Sequence, residues 1–333
     1  MEFTKTFRDL PHLIRGLSQR GLHIGDEQQA IHFFKKVGYF RSGGYRYIFR
    51  EMLPESEQHA NSMTFRSDDY IEGAKLEDVR RFEEFDAKLR EVFLKGVLDF
   101  EIRLRAALTH VLAVRDTYAH LDSVHLGDTC IEVTGDTSGT KFDAWERTCR
   151  AATRDSKEED FVKHLLVKYG DPLPTWALVE ILSFGSLPYL YELLKVEDQR
   201  LVAAEFGVKQ PKQFGAWLRA AVDLRNYCAH GSRLFNRQLK RAIRINPAAI
   251  NQDLLGHLAG DINVEDQRRF YPIAAILAYW LRSHPAPSNW HMTFKTQVRN
   301  LPVVHRQDGT HLVDTAENMG FPIMWESLPL WSK

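Results

Sequence analysis

Cysteine is scarce in this chain. Its 333 residues include Cys130, Cys149 and Cys228, an odd number at wide spacing with no Cys-x-x-Cys pair. That usage excludes a disulfide framework and fits a reducing compartment. Net charge is missing too. Basic and acidic side chains number 44 each, so a uniformly basic coat for nucleic acid is ruled out and any anion site is local. The longest apolar run, residues 270–281, falls short of the roughly 20 residues that a bilayer requires. The opening MEFTKTFRDL has no apolar leader segment. Residues 38–44 lack the Gly-Lys-Ser/Thr ending of a phosphate loop. His120, His125, His284 and His291 come without a nearby Cys or a His-Glu-x-x-His pattern. We therefore expect a soluble cytoplasmic protein with no membrane span, no metal and no cofactor.

What is present is globular in kind. Hydrophobic side chains make up 44% and aromatic ones 11%, enough for a packed core. Leu10, Leu13 and Leu17, then Ala30, Phe33, Phe34 and Val37, predict two short helices within residues 8–50. The run Gly38-Tyr39-Phe40-Arg41-Ser42-Gly43-Gly44-Tyr45 breaks that rhythm and predicts a turn-rich end, and residues 54–69 read as a loop. A long amphipathic helix follows. Phe82, Phe85, Leu89, Val92, Phe93, Val97, Phe100, Leu104, Leu108 and Val111 step along it, with Glu83, Lys88, Arg90 and Lys95 between them. The rod has roughly thirty residues and is about 45 Å long. Gly96 in its middle predicts a bend or a close crossing.

Residues 115–140 read as a variable connection. Helical spacing returns at Phe161, and helices are predicted over residues 176–182, 198–206, 211–230, 264–283 and 292–300. The aromatic, proline-rich tail predicts an extended segment packed on the helices. With no internal repeat and no alternating strand series, the fold class is mainly α. The expected organisation is an N-terminal helical and turn region over 1–70, a helical core over 71–250 and C-terminal helices with the tail over 251–333. Residues 115–160 would form an insertion in the core.

The stretch richest in chemistry is Arg225-Asn226-Tyr227-Cys228-Ala229-His230, followed by Gly231-Ser232-Arg233. A guanidinium and an imidazole together can cleave RNA without a metal. Histidine titrates near neutral pH, so it can take the 2′-proton or protonate the leaving 5′-oxygen. Arginine can clamp the charge that builds on the phosphorane. Five residues of helix turn the two side chains about 140° apart, so they share a face only where the helix ends or the arginine bends round. Gly231 is well placed to end it. One imidazole is a thin supply of both acid and base, so we expect a homodimer that brings two such helices to one cleft. The plain alternative is a pair that only favours the negative pole of a helix.

Residues 224–252 contain no Asp or Glu but hold Arg225, Arg233, Arg237, Lys240, Arg241 and Arg244. The last five either track an RNA backbone or form a solvated face. Tyr39, Tyr45 and Tyr47, with Arg41 and Arg46, either stack unpaired bases or pack in the core around a tight turn at Gly43-Gly44. Glu101 and Arg105 have ion-pair spacing on the long helix, and the sharper possibility has Glu101 reaching the motif to position Arg225 or His230. Arg103 has no evident role. Glu180, in an otherwise apolar helix, reads as a structural tie to an arginine. Cys228 reads as a small packing residue.

Several segments in order resemble the Abi family of bacterial abortive-infection proteins, of the AbiD and AbiF type. They are Gly38-Tyr39-Phe40-Arg41-Ser42-Gly43-Gly44-Tyr45, Phe85-Asp86-Ala87-Lys88-Leu89-Arg90 and Phe100-Glu101-Ile102-Arg103-Leu104-Arg105. Next come Leu173-Pro174-Thr175-Trp176 and Glu180-Ile181-Leu182-Ser183-Phe184-Gly185. Last are Leu224 to His230 with Arg233-Leu234-Phe235-Asn236, and Met319-Gly320-Phe321-Pro322 with Trp325 and Pro329-Leu330-Trp331. Their order across nearly the whole chain is more specific than any one of them. The family looks like a branch of the HEPN superfamily, whose ribonucleases carry Arg-x4-6-His. The resemblance implies a HEPN-like bundle with N- and C-terminal extensions, acting as a dimeric, metal-independent ribonuclease in phage defence. It implies that Arg225 and His230 are catalytic and that Asn226 orients the arginine or the phosphate. This chain has Gly231 where many relatives carry a polar residue or histidine, which removes one possible helper. Some AbiF-type relatives work alongside a small structured RNA, so the implied partners are RNA and a second copy. Two other readings stay open: a non-catalytic RNA-binding scaffold, and a toxin silenced by RNA or an antitoxin.

Overall fold

A computed structural model of the protein describes residues 6–58, 65–133, 135, 139–260, 266–306, 309–313 and 316–332. Two short helices open it, each started by an aspartate that supplies the first turn with an acceptor. Asp9 accepts from the His12 N–H at the head of α1 (Leu10–Gln19), and Asp26 accepts from the Gln29 N–H at the head of α2 (Glu27–Val37). The expected turn after α2 is instead a third helix, α3 (Tyr39–Arg46), with both Gly43 and Gly44 inside it. A small antiparallel hairpin follows, β1 (Arg50–Met52) with β2 (Arg66–Tyr70), pairing Arg50 with Tyr70 and Met52 with Arg66. The expected loop therefore ends in a strand, and its residues 59–64 lie outside those described.

The long rod is α4 (Leu76–Ala113), 38 residues, or about 57 Å at 1.5 Å per residue. It exceeds the expected length because Leu76 and Val79 carry the buried stripe one more turn toward the N-terminus. Gly96 marks a close crossing. A β-carbon there would sit 2.4 Å from the Trp290 Nε1, and that nitrogen donates to the Val92 carbonyl at 2.8 Å. Gly96→Ala is expected to destabilise the fold by about 2 kcal/mol, because overpacking outweighs the helix propensity gained. A fall in urea midpoint at unchanged slope is the check, and a rise would contradict the crossing.

Between residues 119 and 131 the chain runs through short 3-10 turns, then forms α5 (Lys141–Asp155) and α6 (Asp160–Tyr169). Helix α5 falls inside the expected insertion and was not foreseen from the periodicity. Its signal is a capping box, in which Thr140 and Asp143 each bond the other's backbone N–H. Four helices follow: α7 (Thr175–Ile181), α8 (Leu187–Leu193), α9 (Val196–Glu205) and α10 (Pro211–Ala229). After an irregular stretch come the single turn α11 (Gln252–Leu255), then α12 (Phe270–Ser283) and α13 (Trp290–Val298). Helix α12 starts later than expected. Asp266–Arg268 form a 3-10 turn, and 264–265 lie outside the described residues.

Helices α3, α7, α9, α10, α12 and α13 all pack on α4. Every residue from 270 to 281 is buried, so α12 is apolar all round because it has no solvent face. Its Trp280 stacks on Phe100 at 4.3 Å and meets Phe214 at 5.4 Å, which locks α4, α10 and α12 together. Phe321, Trp325 and Trp331 of the tail close over Tyr271 and Phe294, and the Trp331 indole donates to the Tyr271 hydroxyl at 3.0 Å. The tail is a series of 3-10 turns and not the expected extended segment. Among the described residues no helix is long and apolar enough to cross a membrane.

Candidate active site

Phe214, Trp217, Leu218, Ala221, Leu224 and Cys228 recur at three and four residues and seat α10 on its neighbours. The helix stops at its glycine. His230 is the C-terminal cap, and Gly231 follows with φ of 63°, a left-handed conformation that costs glycine little. The Gly231 N–H donates to the Cys228 carbonyl at 3.1 Å and the Ser232 N–H to the Tyr227 carbonyl at 2.7 Å, the two bonds of a Schellman ending.

This ending gives the motif's two groups different surroundings. The Arg225 guanidinium is half-buried 5.4 Å from the Phe184 ring centroid, and its Nε is buried without a hydrogen-bond partner. His230 is exposed; its backbone N–H donates to the Asn226 carbonyl at 3.0 Å, while its ring is unengaged among the described residues. The Asn226 amide is half-buried and equally unengaged. Among the described residues no hydrogen bond or ion pair joins Arg225 to His230. Five residues apart on the helix, Arg225 turns toward Phe184 while His230 faces solvent. Cys228 packs inward, and burial pushes its thiol up to about 12, so at neutral pH it is no nucleophile.

What fixes this helix end is a residue to which the sequence reading gave no role. Asp86 of α4 is fully buried and accepts four groups. The Tyr45 hydroxyl donates at 2.6 Å, the Leu234 N–H at 3.0 Å and the Phe235 N–H at 2.7 Å, with the Arg90 guanidinium completing the set. Burial, then the charge of Asp86, hold the Tyr45 hydroxyl well above the ordinary phenol range. The carboxylate joins α3, α4 and the backbone just past the motif. Its signal in the sequence was an acid placed on the buried stripe between Phe82 and Leu89.

Gly43 and Gly44 lie within α3, and a side chain from far along the chain covers Gly44. The Arg233 guanidinium donates to the Gly44 carbonyl at 2.6 Å, and a β-carbon on Gly44 would sit 2.7 Å from its Nε. Arg233 is therefore bound within the fold. Arg237 lies 3.9 Å over the Tyr227 ring and bonds the Arg233 carbonyl. Arg241 pairs at 3.0 Å with Asp223, an acid just outside the acid-free window. Lys240 and Arg244 are exposed, and their side chains are unengaged among the described residues.

Other candidates fall away from the motif. Tyr45 is buried and Arg46 lies 4.4 Å over Tyr39, so these groups pack the core and are not available as a stacking platform. Glu101 pairs with Arg105 at 2.7 Å, and neither touches Arg225 or His230. Arg105 instead donates to the Val179 and Leu182 carbonyls at 3.1 and 2.7 Å, ending α7 two residues before Phe184. Glu180 is exposed and needs no partner, contrary to the structural tie read for it. Arg103 bonds Asp99 at 3.0 Å and His284 at 3.1 Å. His120 bonds Thr175 at 2.9 Å, and burial pushes its imidazole down to about 4. Among the described residues no three His, Cys, Asp or Glu side chains are grouped to hold an ion.

No curated protein and no solved structure matches the chain. The family model for Abi-like proteins does match, over residues 32–236, from within α2 through the motif to just past Phe235. That span is more than half of the chain and includes both anchors of the helix end, α3 and Asp86; the chain belongs to the Abi-like protein family.

Proposed function

We propose that this chain is a metal-independent endoribonuclease of HEPN type, acting as a homodimer in abortive-infection defence. One observation carries the reading most of the way. A solvent-facing imidazole and a half-buried guanidinium, neither paired to an acid among the described residues, stand at a helix end whose following backbone is bonded to Asp86 and which is rich in arginine. In the reaction a base takes the 2′-proton, the 2′-oxygen attacks phosphorus, and the 5′-oxygen leaves with a proton from an acid. His230 serves as acid or base, with its mate from the second copy in the complementary role. Arg225 binds the phosphorane oxygens and Asn226 supports them. Arg233 holds the site together through Gly44. Arg237, Lys240, Arg241 and Arg244 follow the RNA backbone, Arg241 exchanging its Asp223 contact for phosphate. Glu101 and Arg105 support Arg225 indirectly, by holding the turn that carries Phe184.

Purified protein is expected to cut single-stranded RNA in excess EDTA and to leave 2′,3′-cyclic phosphate ends, with DNA inert. Activity abolished by EDTA, or 5′-phosphate products, would overturn the reading. The separation of Arg225 from His230 within one chain favours one competitor, an RNA-binding scaffold without catalysis, which would bind RNA steeply in salt and never cut it.

A further inference from the structure

Helix α3 flanks the end of α10 and offers it a second cation. The Arg41 guanidinium lies 3.9 Å from where a β-carbon on Gly231 would stand, beside His230. Among the described residues Arg41 makes no hydrogen bond, ion pair or ring contact, whereas nearby Arg46 and Arg233 are bound within the fold. Next to it on α3 is Phe40, 95% exposed, the one large apolar side chain of this helix turned to solvent. Position 40 lies one turn before Gly44, so it projects on the same side as the Arg233 contact, while position 41 faces Gly231. A free guanidinium and a bare aromatic ring thus flank the motif from an element far away in sequence.

We propose that Arg41 and Phe40 form a subsite for an unpaired nucleotide adjoining the scissile phosphate, Arg41 binding its phosphate and Phe40 stacking its base. The inference rests on the ribonuclease reading and deepens it. The local charge fits a phosphodiester chain, since Arg41 stands beside His230 and Arg237 lies over Tyr227 of the same helix end, and among the described residues no carboxylate is paired to any of the three. An exposed ring suits a base of any identity, so the subsite selects unpaired RNA without selecting sequence. It would favour single strands over duplex, because a base in a duplex has no free face to stack.

The test uses a short 2′-O-methyl RNA carrying 2-aminopurine, which binds but cannot be cut. Phe40→Ala is expected to weaken binding about tenfold and to abolish the fluorescence quench. Arg41→Ala should make the slope of log affinity against log salt shallower by about 0.7, the share of one phosphate contact on a single strand. Arg41→Lys should restore that slope. On cleavable RNA, Arg41→Ala should raise KM with kcat little changed. Phe7→Ala, equally exposed at 95%, is the control and should change nothing. Unchanged affinity, quench and salt slope in the Phe40 and Arg41 variants would overturn the subsite while leaving cleavage to judge the enzyme. Loss of binding in those variants of a protein that never cuts RNA would keep the subsite and sink the nuclease. A wild-type protein that binds no RNA overturns both.

Discussion

His230→Ala is expected to lower RNA cleavage by at least about a thousandfold, the upper part of what a positioned acid or base supplies. The variant should fold normally. Its side chain is exposed, the bonds that end the helix come from Gly231 and Ser232, and its own backbone N–H bond to the Asn226 carbonyl is one that alanine retains. A lost activity with an unchanged urea midpoint therefore reads chemistry and not stability. Arg225→Ala should lose about a hundredfold or more, through the phosphorane clamp. Arg225→Lys should recover little of it, because an ammonium lacks the planar fork and fits the Phe184 ring less well. Cleavage that persists in His230→Ala, in a preparation free of other nucleases, removes this residue from the mechanism.

Asp86→Ala is expected to destabilise the fold by about 4 kcal/mol, the range for removing one partner of a buried charge pair. The substitution strands the backbone N–H groups of Leu234 and Phe235 in the interior and leaves the Arg90 guanidinium only the Tyr45 hydroxyl at 3.3 Å and Glu83 at 3.9 Å. Asp86→Asn keeps the volume and one acceptor oxygen but turns an N–H₂ toward donors, so about 2 kcal/mol is expected there. Equilibrium urea unfolding reads both. A cost below about 1 kcal/mol for the alanine variant would mean that the helix end is held by other contacts. Where the asparagine variant still folds, its RNA cleavage should fall as well, because the motif's flank has lost its anchor.

The parts of this molecule legible in the sequence are those set by short-range pattern. The buried stripe of α4, the wholly apolar α12 and the glycine that ends α10 each announce themselves within a few turns. Gly96 could be read as a close crossing, although Trp290 as its partner could not. What escaped notice is set by contacts distant in sequence. Gly43-Gly44 signals a turn by composition, yet the pair lies in a helix, and Arg233, some two hundred positions on, lies across Gly44 and bonds its carbonyl. Asp86 stands in the sequence only within a segment that resembles the family, with no partner in view. Its place on the buried stripe marks it for the interior, but its partners, the returning backbone of Leu234 and Phe235, are recorded by no periodicity. Glu180 misled in the opposite sense, since an acid in an apolar run suggested burial and the helix places it outward. The candidate pair itself was legible as Arg225 and His230, but their separation around the helix end became concrete only with the Phe184 contact.

The central claim is that guanidinium and imidazole from two copies meet at one phosphate. Co-expressing Arg225→Ala with His230→Ala and isolating the mixed dimer tests it most directly. Each variant alone should be inactive, and the mixed dimer, which brings one arginine and one histidine to the shared phosphate, should regain part of the cleavage while falling short of wild type, because its one imidazole lacks the complementary mate. An inactive mixed dimer, or full wild-type activity at concentrations where sedimentation shows only monomer, would contradict the account.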